Sequence, residues 1–305
     1  TRPGAGQVYV IHGGPGLSGT RNLYTDAANV ATRIMGGEIG DTAGQAVASG
    51  DVNLDGVDDV IIGAHQADPL DRDSAGILYV LYGGTAAGGD LLPAVVDLAN
   101  DAEVDVMVYG KAAGDGLGFQ ARVFNFNGDG FDGLLIGVPL AAGTDGDGVG
   151  YAAVITGDPQ LPALIDLATD TPDHLILGDD AGDNAGQTVA WGDFNGDGTD
   201  DLVVGAPAAG AASTFVGEVY ALYGSPPYVE LSVPDTTARP GEDLAVPMMV
   251  DSTSGLKMAN VSMDLVFDEE LLTINGISMG APLTDGWPYN HSILMGTADD
   301  PDTLR

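Results

Sequence analysis

The chain has 305 residues, of which 47 are glycine and only 6% are aromatic, a balance that favours short strands with tight turns and predicts an all-β protein. Its 45 acidic and 9 basic residues give a formal net charge of −36, so nucleic acids would be repelled and cations attracted. Because the chain contains no cysteine, disulfide bonds, thiolate catalysis and cysteine-ligated zinc are excluded.

In chain order, the first recurring element is a short strand that ends in glycine. It begins at Gly6 as GQVYVIHG and returns at Gly76 as GILYVLYG, at Gly150 as GYAAVITG and at Gly217 as GEVYALYG. Short apolar runs bounded by glycine are typical of strands. Four copies predict that the chain is built from repeats of one structural unit.

A longer repeated segment contains an acidic loop between two apolar stretches. Its three copies are GDTAGQAVASGDVNLDGVDDVIIGAH from Gly40, GDGLGFQARVFNFNGDGFDGLLIGVP from Gly114 and GDNAGQTVAWGDFNGDGTDDLVVGAP from Gly182. Successive copies are 74 and 68 residues apart. The three acidic loops, here called loops one, two and three, therefore occupy the same place in each repeat.

A third, less regular element is LPAVVDLAND around Val96 and LPALIDLATD around Ile165, each followed by a short apolar stretch, at 106–109 and 175–177. Each period thus holds about four short strands, which is typical of a β-propeller blade. A β-solenoid would have much shorter coils, and an array of β-sandwiches would not repeat one acidic loop at one place. The predicted propeller segment is 1–225, with a partial blade at 1–33 and repeats at about 34–105, 106–173 and 174–225.

These motifs resemble the FG-GAP repeats of integrin α subunits and of many secreted bacterial proteins, over residues 1 to about 224. The matching residues besides the acidic loops are Gly44-Gln45, Gly118-Phe119, Gly186-Gln187, Gly63-Ala64-His65, Gly137-Val138-Pro139 and Gly205-Ala206-Pro207. The chain departs from the family at Ala43, Leu117 and Ala185, which replace phenylalanine, and at His65, which replaces proline. The resemblance implies an extracellular or cell-surface protein.

Loop one has the spacing of a calcium-binding loop. Asp51, Asn53 and Asp55 alternate, Val57 can offer its carbonyl, and Asp59 follows at the ninth position. Calcium takes six to eight oxygen ligands, and this spacing turns several oxygens inward. An EF-hand would need glutamate at the twelfth position, where all three copies have an apolar residue of a strand, so that motif is excluded. The FG-GAP resemblance implies a hairpin loop in which the ninth-position aspartate replaces that ligand.

Loop three matches loop one, whereas loop two is degraded. The residues predicted to bind calcium in loop three are Asp193, Asn195, Asp197, Thr199 through its carbonyl, and Asp201. Their equivalents in loop two are Asn125, Asn127, Asp129 and Phe131, and Gly133 takes the ninth position. Calcium affinity follows the number of charged ligands, so we expect two calcium sites and a weaker third. A single Asp-Gly cluster would be read as an ordinary turn, but three copies in register favour metal binding over that interpretation.

A second β region is predicted at 226–305, after the pair Pro226-Pro227. Its segments YVELSVPD, LAVPMMVD and VSMDLVFDEELLTI alternate apolar and polar residues as strands do. Their order resembles the first half of a cohesin-type or related immunoglobulin-like sandwich. This resemblance implies a fold only, because much of the surface with which cohesins bind dockerins would lie in the other half.

No catalytic constellation is visible in the sequence, since the four histidines are scattered and no GxSxG or HExxH motif occurs. We therefore expect a calcium-binding extracellular structural or adhesion protein, such as a scaffold or filament subunit, without catalysis of its own. The alternative is a non-catalytic binding module of a larger secreted enzyme. The expected partners are calcium and other protein chains, including copies of this chain arranged head to tail, with no nucleic acid and no membrane span.

Overall fold

The computed structural model describes residues 2–11, 13, 19, 23, 32–84, 92–126, 131–142, 148–196, 198–210 and 217–224, and the backbone of four further short strands. Within these ranges the chain is built of strands, with two 3₁₀ turns at Pro69–Asp71 and Asp101–Glu103. The all-β prediction is confirmed.

Fifteen strands lie in the described part of the repeat region. They are β1 (Gln7–Val10), β2 (Thr32–Met35), β3 (Ala46–Gly50), β4 (Asp59–Ala64), β5 (Ile77–Leu81), β6 (Val95–Asp97), β7 (Val106–Tyr109), β8 (Gln120–Phe124), β9 (Gly133–Val138), β10 (Tyr151–Ile155), β11 (Leu164–Asp166), β12 (His174–Leu177), β13 (Thr188–Gly192), β14 (Asp201–Ala206) and β15 (Glu218–Leu222).

These strands form four blades. The second blade has the antiparallel order β3-β4-β5-β7 and the third has β8-β9-β10-β12. The first blade contains β1 and β2, which correspond to the two outer strands, and the fourth contains β13, β14 and β15. Each acidic loop joins the first two strands of its blade, so the three loops lie at equivalent places, as the sequence predicts.

The third recurring element crosses to the preceding blade. Strand β6 pairs in parallel with β2 of the first blade, and β11 pairs in parallel with β7 of the second. The second blade therefore gains a fifth, outermost strand from the next repeat, and the first blade gains the equivalent strand. We call β6 and β11 the covering strands.

The hydrophobic core lies between neighbouring blades, because alternate residues of one strand face opposite blades. Leu78 and Val80 of β5 belong to the same buried cluster as Ile136 of the third blade. Tyr79, which lies between them, belongs to another cluster with Ile34 of the first blade. Each inner blade is therefore apolar on both faces, as expected for stacked sheets.

Two of the repeated glycines let the blades approach closely. A Cβ atom on Gly63 of β4 would lie 2.1 Å from the carbonyl oxygen of Gly118, at the start of the next blade. The same distance separates a Cβ built on Gly137 from the carbonyl oxygen of Gly186. Because backbone contacts backbone at both places, neither glycine can carry a side chain without movement of a blade.

Arginine side chains hold both covering strands. Arg72 precedes β5 and donates two hydrogen bonds of 2.8 Å to the carboxylate of Asp166 in β11. Arg2 is placed in the same way before β1 and binds both oxygens of Asp97 in β6. Such bidentate pairs combine charge with fixed geometry. The Arg72 guanidinium holds the pKa of the Asp166 carboxyl below its ordinary value.

We predict that Arg72→Met destabilises the fold by about 1–3 kcal/mol at neutral pH, because it removes two charge-assisted hydrogen bonds from a pair that is mostly shielded from water. Arg2→Met is the matched control and should cost less, since its pair is more exposed. Urea unfolding measures both.

The pH dependence follows from the depressed pKa of Asp166. The ion pair stabilises the fold above the unfolded-state pKa of an aspartate and loses this effect as pH falls through the lower folded-state value. The difference between wild type and Arg72→Met should therefore shrink in acid. An equal cost for both arginine variants, or a cost that grows in acid, would contradict this account.

The chain divides into two compact units, Thr1–Ser254 and Gly255–Arg305. Beyond the blades, the first unit contains the antiparallel pair β16 (Val229–Ser232) and β17 (Met249–Ser252). The second contains the pair β18 (Leu265–Val266) and β19 (Thr303–Leu304). Most of the proposed sandwich lies outside the described residues, so the cohesin-type resemblance and the boundary at 226 stay predictions. No helix in the described part of the chain is long and apolar enough to cross a membrane.

Candidate metal centres

Loop one, between β3 and β4, curls around the side chain of its first residue. One carboxylate oxygen of Asp51 accepts the backbone N–H of Asp55 at 3.0 Å, and the other accepts that of Gly56 at 2.8 Å. The side-chain oxygen of Asn53 also accepts the Asp55 N–H, at 2.9 Å. A positive φ at Leu54 and Gly56 makes the tight turn possible.

The carboxylate of Asp59 joins loop one to the interior of the blade. Its side chain is fully buried at the start of β4, where one oxygen accepts the N–H of Val52 at 2.9 Å and the other accepts that of Gly83 at 3.0 Å. Burial raises the pKa of Asp59 to about 6, and the negative charges of Asp55 and Asp51 add to the shift against the two backbone hydrogen bonds.

Loop three repeats this arrangement. Asp193 accepts the N–H groups of Gly196 at 2.7 Å and Gly198 at 3.0 Å. Asp201 is fully buried and accepts those of Phe194 at 2.8 Å and Gly224 at 2.9 Å. The other residues predicted for this site are Asn195 and Thr199, which the structure describes, and Asp197, which lies outside the described residues.

Loop two lacks the buried carboxylate. Gly133 takes the place of Asp59 and Asp201, and a Cβ atom there would lie 2.8 Å from the carbonyl oxygen of Ile155. The side-chain oxygen of Asn125, at the first position, is buried and has no hydrogen-bond partner among the described residues. Phe131 is described, whereas Asn127 and Asp129 lie outside the described residues.

A neighbouring aspartate connects the loops of successive blades. Asp132 accepts the N–H of Asp51 at 3.1 Å, and its equivalent Asp200 accepts that of Asn125 at 3.4 Å. In sequence, Asp132 looks like a ligand displaced by one residue. The signal for its role is that Asp58, Asp132 and Asp200 occupy the same position in the three copies.

The donor set of loops one and three suits a hard cation such as calcium. All predicted ligands are oxygens, and carboxylates, an amide and a backbone carbonyl are the groups that calcium prefers. The turn hydrogen bonds gather these oxygens, although the described residues contain no group of three or more acidic, histidine or cysteine side chains already arranged around a metal position. Calcium binding at these loops stays a prediction.

His65 contacts Thr42, and the two side chains have the composition of a base and a hydroxyl group. Nδ1 of His65 lies 3.0 Å from the Thr42 hydroxyl oxygen, and this hydroxyl donates its proton to the carbonyl oxygen of Asp41. Which of the two groups donates in this contact depends on the tautomer of His65. Burial also lowers the pKa of His65.

Comparison with known proteins identifies FG-GAP repeats in the chain. The family model "FG-GAP repeat" matches residues 43–81 and 185–222, which contain loops one and three with their flanking strands. Loop two lies outside these matches, in agreement with its missing carboxylate. The predicted FG-GAP resemblance is confirmed for the repeats.

Two kinds of relative share this region. The chain is 30% identical over 185 residues to phosphatidylinositol-glycan-specific phospholipase D of Bos taurus and 31% identical over 183 residues to that of Homo sapiens, which is 61% and 60% of this chain. It is 31% identical over 193 residues to integrin alpha pat-2 of Caenorhabditis briggsae, which is 61% of this chain. The chain spans 21% of both phospholipases and 14% of the integrin subunit.

Proposed function

We propose that the chain is a calcium-stabilised β-propeller module of an extracellular adhesion or scaffold protein, without catalysis of its own. The observation that carries this proposal is the burial of Asp59 and Asp201 at the same place in two blades. Asp51 and Asp55 are close enough to Asp59 to raise its pKa. A bound dication would balance this concentration of negative charge and turn repulsion into coordination.

The integrin relatives support a role in recognition. Integrin α subunits are adhesion proteins, and the shared region contains the repeats. The sequence offers abundant acidic surface but no pattern for nucleic-acid binding, which fits protein partners and cations.

The fourth blade offers a surface for such a partner. Val219 of β15 is 72% exposed, whereas its equivalents Leu78 and Ala152 are fully buried against the next blade. Exposed apolar sheet faces are sites of association. We propose that this face packs against another blade, and that a head-to-tail copy of the chain can supply it.

The phospholipase relatives favour one alternative. Their similarity to this chain covers only about a fifth of their length. In that reading the chain is a non-catalytic module of a larger secreted enzyme, and its blades position a catalytic domain or bind its substrate surface. Both readings require the same fold and the same cation sites.

We predict that calcium raises the melting temperature and that loops one and three carry this effect. A cation that binds only the folded state stabilises it by ~2.7 kcal/mol at a hundredfold excess over its dissociation constant. Asp55→Ala and Asp197→Ala should each reduce the calcium-dependent shift, because each removes one of three carboxylates. Asp129→Ala in loop two is the matched control and should have a smaller effect.

Differential scanning fluorimetry with calcium and with chelator provides the measurement. Equal losses in all three variants would show that the loops are not distinguished by their carboxylates. A wild-type melting temperature that is the same with calcium and with chelator would contradict the proposal.

We also predict that the purified chain hydrolyses neither polysaccharides nor phosphodiesters, because its sequence contains neither a GxSxG nor an HExxH motif. The assay should include a preparation of the Asp55→Ala variant made in parallel, so that a contaminating hydrolase appears equally in both. Turnover that persists through further purification would contradict the non-catalytic assignment.

A further inference from the structure

The two covering strands pair with the first and second blades through equivalent backbone hydrogen bonds. In the first, the N–H of Arg33 in β2 donates to the carbonyl of Ala94, and the N–H of Leu98 donates back to the carbonyl of Met35, both at 3.0 Å. In the second, the N–H of Met107 in β7 donates to Ala163 at 2.9 Å, and that of Leu167 donates back to Tyr109 at 3.2 Å. The two pairings have the same register.

The outer strand of the third blade is open. Strand β12 pairs only with β10 among the described residues, and Leu175 and Leu177 are 49% and 64% exposed. Beside it lies a cavity of about 320 Å³ lined by Leu177, Gly178 and Asp179, among others. In the second blade the equivalent carbonyl groups, those of Gly110 and Lys111, accept hydrogen bonds from Arg72. This open edge of the third blade is therefore equivalent to the edge that β11 and the side chain of Arg72 occupy in the second blade.

The sequence contains a third copy of the covering strand where the topology requires it. Each covering strand follows the third strand of the next blade, so the one for β12 should follow β15. The segment PPYVEL at 226–231 has the pattern of PAVVDL at 93–98 and PALIDL at 162–167. Proline begins all three copies, an acidic residue takes the fifth position, and leucine ends them.

We propose that this segment supplies the covering strand of the third blade and that its described part, 229–231, pairs in parallel with β12. The register of the first two blades places Val229 opposite Ile176 and Glu230 opposite Leu177. The N–H of Leu231 then donates to the carbonyl of Leu177. Among the described residues, β16 pairs with β17 alone, which leaves its other edge for β12.

This third copy differs from the others in its charge partner. Gly146 stands at the position of Arg2 and Arg72, four residues before the glycine that opens the strand. The acidic residue Glu230 therefore has no arginine at the equivalent place. The pairing rests on backbone hydrogen bonds and on burial of the aliphatic positions, whose equivalents Val96 and Ile165 are 1% and 8% exposed.

A double-cysteine variant tests the register directly, because the natural chain has no cysteine. In the full chain, Leu177→Cys with Glu230→Cys places two thiols at directly opposed positions, where the Cα separation suits a disulfide. The matched control is Leu177→Cys with Leu231→Cys, one residue out of register. Mild oxidation should give about tenfold more intramolecular disulfide in the first variant than in the control. Non-reducing electrophoresis and peptide mass spectrometry read the result.

Backbone hydrogen exchange on the unmodified chain provides a second measurement that does not depend on folding of the variants. The amides of Leu175 and Leu231 should exchange slowly, as paired strands do. Equal disulfide formation in the two variants, fast exchange at both amides, or a disulfide-linked dimer, in which a second copy supplies the strand, would each overturn the proposal.

Discussion

The structure depends on two carboxylates that are buried where apolar strands begin. Asp59 and Asp201 open the central strands of their blades, and each binds one backbone N–H in its own loop and one just beyond the following strand. Each carboxylate thereby fixes the loop against the blade. A charge so placed is costly without compensation, and the oxygen-rich loop beside it is suited to hold a compensating cation. In the proposed function, stability and cation binding would be linked at Asp59 in the second blade and at Asp201 in the fourth.

The blades are interleaved along the chain. A glycine of one blade contacts the backbone of the next, as at Gly137 and Gly186, and each covering strand returns from one repeat to the outer edge of the preceding blade. Asp132 adds a hydrogen bond between successive loops. Because two of the repeats supply a strand to the preceding blade, the stability of one blade depends on its neighbours, as in other repeat proteins. The face of the fourth blade that meets no further blade among the described residues is exposed, and Val219 differs in this from its buried equivalents.

The sequence predicts the blades well because their signals are local. The loops, the glycine-bounded strands and their spacing can all be read within one repeat, and the loss of a carboxylate at Gly133 is visible directly. From the sequence, each covering strand is predicted to belong to its own repeat, because three residues such as Val95–Asp97 have the same alternation whichever strand they pair with. Their partners lie 60 residues or so earlier, and the bond between Arg72 and Asp166 spans 94 positions. Such pairings depend on topology and not on local pattern.

The central claim is that calcium occupies loops one and three, and a crystal structure of the chain grown with calcium tests it most directly. Anomalous difference maps should place one ion in each loop, ~2.3–2.6 Å from oxygens of Asp51, Asp55 and Asp59 in loop one, and at the equivalent place beside Asp193 and Asp201 in loop three. Loop two should contain a weaker peak or none. Loops one and three without an ion at saturating calcium, with their carboxylates held by backbone N–H groups alone, would contradict the account.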